Sequence, residues 1–214
     1  GSRLRKAALG MAEGKRLRKL VINPARVHKS LGQRKYIDTN LKTHPTVGYA
    51  VALAWTESGG EVMPVEVVPM QGKAKLTLTG SLGEVMQESA TAALSYIRNR
   101  ATQFGLDAGF FEKIELHIHI PEGAVPKDGP SAGVPLTVAI LSALTGIPAR
   151  VDVAMTGEIT LSGDVLPIGG LNEKLLAAKR HGINRVLLPT RNRKDVAELP
   201  KELLITVVKD KDKD

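Results

Sequence analysis

The chain has 214 residues, 43% hydrophobic and 24% charged, with 21 Gly, 12 Pro and no Cys. That suits one substantial core with a smaller appendage and excludes disordered, collagen-like and disulfide-stapled classes. No apolar run approaches the ~18 residues a membrane span needs, no signal-peptide pattern opens the chain, and thiol nucleophiles and Cys-ligated zinc are ruled out, so a membrane-free, cytoplasmic protein is expected.

The net charge of +8 is unevenly spread: residues 1–43 hold 12 Lys/Arg against Glu13 and Asp38, a balance of +10, and the remainder carries −2. Only this N-terminal segment is a candidate nucleic-acid surface, and with Tyr36 as its one aromatic it has little with which to stack bases. The alternative is a solvated basic face.

Residues 3–20 are compatible with helix but interrupted by Gly10 and Gly14. Asn23-Pro24 supplies an N-cap followed by Pro at the first helical position, opening a short helix to about Leu31-Gly32. From Thr46 the pattern turns to strands. Val47 to Trp55 and Glu61 to Met70 flank Glu57-Ser58-Gly59-Gly60 as a hairpin, and Ala74 to Thr79 adds a third strand. Leu82, Val85, Met86, Ala90, Ala93, Leu94 and Ile97 recur at helical spacing, predicting a long amphipathic helix over Leu82 to Phe104.

Lys113 to Ile120 alternates, with Ile114, Leu116, Ile118 and Ile120 on one face and His117 and His119 on the other, the mark of a half-buried strand. A Gly/Pro loop over Pro121 to Pro130 leads to a mostly apolar helix, Ser131 to Leu144, stopped by Gly146. Strands are expected near Val151 to Met155, Ile159 to Leu161, Val165 to Ile168, Arg185 to Leu188 and Leu203 to Val208, with helices at Leu171 to His181 and around Lys194 to Leu199. The Lys/Asp tail, residues 209–214, is solvated. The expected division is a basic helical segment and linker over 1–43, a main domain over 44–208 and the tail.

The most informative segment is Pro126-Lys127-Asp128-Gly129-Pro130-Ser131-Ala132-Gly133. It delivers Ser131 to the first turn of an apolar helix, where unpaired N–H groups and the positive end of the dipole can stabilise an oxyanion. Ser is equally a preferred N-cap, so this segment alone leaves both readings open. Gly129 to Gly133 also fits G-x-S-x-G, the nucleophile elbow of α/β-hydrolases. The elbow requires a strand running straight into the Ser, but ten loop residues intervene. The required order would leave only His181 as base, at a helix end beside Lys179 and Arg180. His117 and His119 have no third ligand at a recognisable metal spacing, so a hydrogen-bonded role is expected for them and no metal site.

Without a His base, the remaining option is a Ser-Lys pair, in which an unprotonated Lys accepts the hydroxyl proton. The helix Leu171-Asn172-Glu173-Lys174-Leu175-Leu176-Ala177-Ala178 has an apolar stripe flanked by Lys174 on one side and Lys179 on the other. Periodicity does not choose between them, and either stem could simply lie along the core edge.

The runs Pro121-Glu122-Gly123-Ala124, Pro126 to Gly133, Ala154-Met155-Thr156-Gly157-Glu158-Ile159-Thr160-Leu161 and Leu166-Pro167-Ile168-Gly169-Gly170-Leu171 resemble the proteolytic domain of ATP-dependent Lon proteases. Ala54-Trp55-Thr56-Glu57 and Thr79 to Ser89 extend the resemblance over residues 44–208, and residues 3–40 resemble the end of the helical subdomain that precedes it. The resemblance implies a mixed α/β fold and a serine endopeptidase with Ser131 as nucleophile and Lys174 as general base. It places Thr156 on the Lys174 amine, Asp128 beside the site, and Trp55, Pro121 and Glu122 along the substrate cleft. It implies unfolded or damaged proteins as substrates and a hexameric ring as the assembly. A non-catalytic assembly module of the same fold is the competing reading, and the presence of both Ser131 and Lys174 argues against it.

Two departures stand beside the resemblance. Asn172 occupies a position where the family commonly has a basic residue, and the Lys/Asp tail stands where a further C-terminal helix is usual. No G-x-x-x-x-G-K-[ST] occurs, so this chain is expected to hold no cofactor, with ATP and Mg belonging to the family's motor domain.

Overall fold

A computed structural model describes residues 9, 12–13, 41–56, 59–121, 127–199 and 206–208. The basic segment over 1–40, Glu57-Ser58, Glu122 and the rest of the loop over 122–126, residues 200–205 and the tail expected over 209–214 therefore lie outside the described residues, apart from Leu9, Ala12 and Glu13. The chain divides into two compact units, 1–40 and 41–214. Lys42 belongs with the second: its ammonium pairs with Glu66 at 3.0 Å and lies over the Tyr49 ring.

The second unit is a mixed α/β fold. Strands β1 (Tyr49–Thr56) and β2 (Gly59–Gln71) form the expected antiparallel hairpin, and β3 (Lys75–Thr79) runs parallel to β4 (Ile114–His119). With β5 (Val153–Met155), β8 (Arg185–Leu187) and β9 (Thr206–Val208) they make a seven-stranded sheet in the order β3-β4-β2-β1-β5-β8-β9. Next to the antiparallel pair, β1, β5, β8 and β9 are parallel. A small hairpin of β6 (Glu158–Ile159) and β7 (Val165–Leu166) stands apart from it.

Both faces of β1 are covered, as its near-continuous apolar run requires. Ala50 and Ala52 face a core shared with α1 (Glu84–Asn99) and α2 (Gly133–Thr145), built on Met86, Ile97, Leu136 and Ile140. Tyr49, Val51 and Leu53 face the opposite side, onto Leu171, Leu175 and Ala178 of α3 (Leu171–Arg180). A short helix, α4 (Arg193–Ala197), follows β8. Among the described residues no helix is long and apolar enough to cross a membrane.

The helix expected over Leu82 to Phe104 is shorter. It ends at Asn99 and continues as a 3-10 turn, Ala101–Phe104, closed by Gly105 at φ 73°. The break is tertiary in origin: the Arg100 guanidinium stacks over Tyr96 and donates to the Leu161 and Ser162 carbonyls of the β6–β7 hairpin. Leu116 and Ile118 on β4 and Ile120 just after it are fully buried, and the two histidines opposite share one partner: the Thr79 hydroxyl lies 2.9 Å from His117 Nε2 and 2.7 Å from His119 Nδ1.

Ser142, buried on α2, ties that helix to the start of β1: its Oγ accepts from Gly48 N at 3.0 Å and donates to the Ile147 carbonyl. Ser142→Ala removes both bonds without changing packing volume much, and is expected to lower stability by about 1–3 kcal/mol, the cost of a buried polar group left unpaired. Chemical denaturation checks this, and an unchanged midpoint would refute it.

Candidate active site

Strands β5, β8 and β9 end in register while β1 runs on past them, and the site forms at the carboxyl ends, where open α/β sheets characteristically bind ligands. Four segments meet there: the end of β1, the residues following β5, the head of α2 and the first turn of α3.

Ser131 lies in a 3-10 turn, Pro130–Ala132, that runs directly into α2. Gly129 before it has φ 124°, a conformation L side chains rarely adopt, which turns the loop into the helix. Two flanking elements hold the turn. From one side, Gly157 N donates to the Ser131 carbonyl at 2.8 Å and Val134 N donates to the Gly157 carbonyl at 2.9 Å. Gly133 and Gly157 make this approach possible, since a Cβ on Gly133 would come within 2.7 Å of Ile159 N and one on Gly157 within 2.8 Å of Val134. From the other side, the buried Ser89 of α1 donates to the Pro130 carbonyl.

Asp128 completes α1. Its Oδ1 accepts from Met86 N, the third residue of that helix, and from Gly129 N, each at 2.9 Å. The helix has no local side-chain cap, because Gly83 stands at the N-cap position, and the missing Cβ leaves room for the Asp128 carboxylate. Lys127 N donates to Ser81 O and Gly83 N to Lys127 O, extending the tie as a short parallel ladder. Asp128 is thus an N-cap delivered from another part of the chain, three residues before Ser131.

Lys174 resolves what helical spacing left open. It is 2% exposed on α3, whereas Lys179 is exposed. Its Nζ donates to Thr156 Oγ1 at 3.1 Å, and that hydroxyl, itself 1% exposed, donates to the Ser131 carbonyl at 3.3 Å. An ammonium in this position has lost most of its hydration, and burial holds its pKa down, from 10.5 to about 8. The drop corresponds to roughly 3 kcal/mol in favour of the neutral amine.

Trp55, at the end of β1, is 56% exposed, with the rest of its side chain against Gly170 at the start of α3. Pro121 follows β4, half-buried. Glu122 is outside the described residues. The structure thus brings Ser131, Thr156 and Lys174 into one hydrogen-bonded chain, puts Asp128 at its edge on α1, and sets Trp55 against the entry to α3. His181 is turned onto the carbonyl of Ala177 in its own helix. Among the described residues no group of three or more His, Asp or Glu could hold a metal ion.

Asn192 supports the site and carried no signal in the sequence. Buried at 1% exposure, its side-chain amide accepts from Ile168 N and donates to Ile168 O, standing in for a strand partner just ahead of Gly169-Gly170 and α3.

A buried Lys linked through a threonine hydroxyl to the backbone of a Ser at a helix head is the arrangement this fold presents. The family model for the Lon protease (S16) C-terminal proteolytic domain matches residues 21–210, and the chain belongs to that family. Among curated relatives, a Lon protease of Chloroflexus aggregans is 55% identical over 192 residues, 90% of this chain and 23% of its own length. One of Geobacter metallireducens is 53% identical over 97% of this chain and 25% of its length, and one of Escherichia coli 50% over 94% and 26%. The chain spans about a quarter of the length of these relatives.

Burial of the amine sets a pH dependence of stability. Between pH 8 and 10.5 the unfolded chain carries a proton on Lys174 that the folded chain lacks, so stability from this group rises with pH across that window and is lowest below it. Lys174→Met keeps the stem and removes the cation. It is expected to be more stable than the parent by ~1–3 kcal/mol at pH 7, with the advantage shrinking toward pH 10. Urea midpoints of both proteins at the two pH values test this; a difference independent of pH would refute it.

Proposed function

We propose that this domain is a serine endopeptidase in which Ser131 is the nucleophile and Lys174 the general base. What supports the reading above all is the buried Lys174 amine, held by Thr156 on the carbonyl of Ser131, its pKa lowered by burial to about 8 so that a fraction is free base near neutral pH. The neutral amine takes the Ser131 hydroxyl proton as Oγ attacks the scissile carbonyl. Backbone N–H groups of the Pro130–Ala132 turn that leads into α2 receive the oxyanion, those of Gly133 and Val134 being bonded to Pro130 O and Gly157 O. Lys174, now an ammonium, returns its proton to the leaving amine, and the C–N bond breaks to leave an ester on Ser131. A water deprotonated by Lys174 then hydrolyses the ester and regenerates both groups.

Thr156 is a positioning residue in this scheme. Its single proton is given to Ser131 O, so it meets the amine as an acceptor and turns one N–H toward itself. We place Trp55, Pro121 and Glu122 along the substrate cleft and read Asp128 as holding the loop. The residues over 44–208 act as the peptidase domain, after a basic segment over 1–43. In the relatives named Lon protease the domain is one quarter of the chain, and we assign ATP and Mg to a motor domain, so that this domain needs no cofactor of its own. Unfolded polypeptides are the proposed substrates, a homo-hexameric ring the proposed assembly and the cytoplasm the proposed compartment. Nucleic-acid contact, if made, falls to the basic residues of 1–43 and would be steeply salt-dependent.

Ser131→Ala and Lys174→Ala are each expected to abolish cleavage of an unstructured polypeptide while leaving a cooperative melting transition. Labelling by a fluorophosphonate or peptide boronate, mapped by mass spectrometry, should fall on Ser131, and modification of another residue would overturn the assignment. With chemistry limiting, the rate should climb about tenfold per pH unit below 8 and level off above it, as the free-base fraction does. A flat profile over pH 6–9 would remove Lys174 from the base role.

A further inference from the structure

Trp55 and Gly60 are direct cross-strand partners in the β1–β2 hairpin. On the face they share, the first turn of α3 rests on both. At Gly170, φ is 65°, and a Cβ would lie 2.7 Å from Trp55 Cβ and Cγ. At Gly60 a Cβ would lie 1.9 Å from the Glu173 carbonyl oxygen and 2.9 Å from Lys174 N. Gly60 does not adopt a left-handed conformation, so glycine is required there for the absence of a side chain alone. From the other end of α3, Arg180 donates to the Gly60 carbonyl at 2.6 Å. The helix is therefore seated on one strand pair at its first turn and strapped to the same residue from its last.

We infer that Gly60, with Trp55 and Arg180, is the seat that sets how deeply Lys174 is sunk beside Thr156, making these positioning residues for the base; their effect on cleavage rests on the reading of Lys174 given above. The backbone of residues 173–174 lies against Gly60 with no room for a methyl group, so a side chain there lifts the first turn of α3 away from β2. Lys174 Nζ is then carried off the Thr156 hydroxyl and toward solvent. The titratable residues at this contact are Glu173 and Lys174 on α3, Arg180 at its end and Glu61, next to Gly60 on β2.

The test follows the Lys174 amine directly, by NMR of ε-13C-labelled lysine with the resonance assigned through Lys174→Arg, alongside cleavage of a peptide ester. In Gly60→Ala the amine is expected to titrate about 1 pH unit or more above the parent, toward the ordinary lysine value, because burial is what depresses it. At neutral pH kcat should fall about tenfold and recover above the raised midpoint, since the fraction of free amine is what changes. Gly48→Ala is the control. It has φ 73° and a Cβ position 2.1 Å from the Val67 carbonyl oxygen at the far end of the same hairpin, so it should destabilise the fold without moving the Lys174 midpoint. Should Gly60→Ala fail to fold, Arg180→Gln at the exposed strap replaces it, with a smaller upward shift expected and partial restoration in Arg180→Lys.

A folded Gly60→Ala, or Arg180→Gln in its place, with the parent midpoint overturns the seat. So does a shift of the same size in Gly48→Ala. A midpoint that moves while the ester-cleavage profile stays put upholds the seat and instead removes Lys174 as the base.

Discussion

The structure depends on a contact between an amine and a hydroxyl, both almost wholly withdrawn from water. Lys174 Nζ meets Thr156 Oγ1, and Thr156 passes its one proton to the backbone of Ser131. A buried ammonium without a carboxylate is costly, and the hydroxyl recovers only part of that cost. The neutral form is the one the surroundings suit. The chemistry proposed for this domain uses the same imbalance, because lowering the pKa leaves part of the amine as free base near neutral pH, with a lone pair available for the proton of a neighbouring alcohol. Stability and the supply of free base are therefore set against each other at one nitrogen, as happens often where function requires a group the fold would rather exclude.

Holding that contact takes elements far apart in sequence. Thr156 is fixed because it continues β5 in the middle of the sheet, where its N–H still bonds to Leu187 O beyond the end of the strand. Ser131 is fixed because its turn is clasped between Gly157 and Ser89, on opposite sides. Lys174 is fixed by a helix that Asn192 leads in and Leu171 and Leu175 anchor in the second core. Glycines recur at the joints, at 60, 133, 157 and 170, because these backbones approach to distances no Cβ permits.

Much of this was legible in the residues. Strand β4 follows from its alternation, α2 from an apolar run closed by Gly146, and the β1–β2 hairpin from two β-rich runs around Gly59-Gly60. What periodicity could not separate was Lys174 from Lys179. Both flank the same stripe, and which one is covered depends on strands β1 and β2, more than a hundred residues earlier. The length of α1 was overestimated because its end is dictated by Arg100 reaching a distant hairpin and not by any local stop signal. Asp128 is placed beside the site by resemblance alone, and nothing near it in sequence announces that it caps a helix beginning at Glu84. Asn192 was invisible for the same reason: an amide that mimics a strand is recognisable only once the strand it completes is in place.

The cap that Asp128 supplies has a consequence for the order in which the protein can mature. During synthesis α1 emerges with its leading N–H groups unanswered, and they stay so until the ribosome has released the segment that also bears Ser131. The nucleophile's loop and the start of that helix consequently become ordered as one event, and neither half of the pocket can be finished in advance of the other.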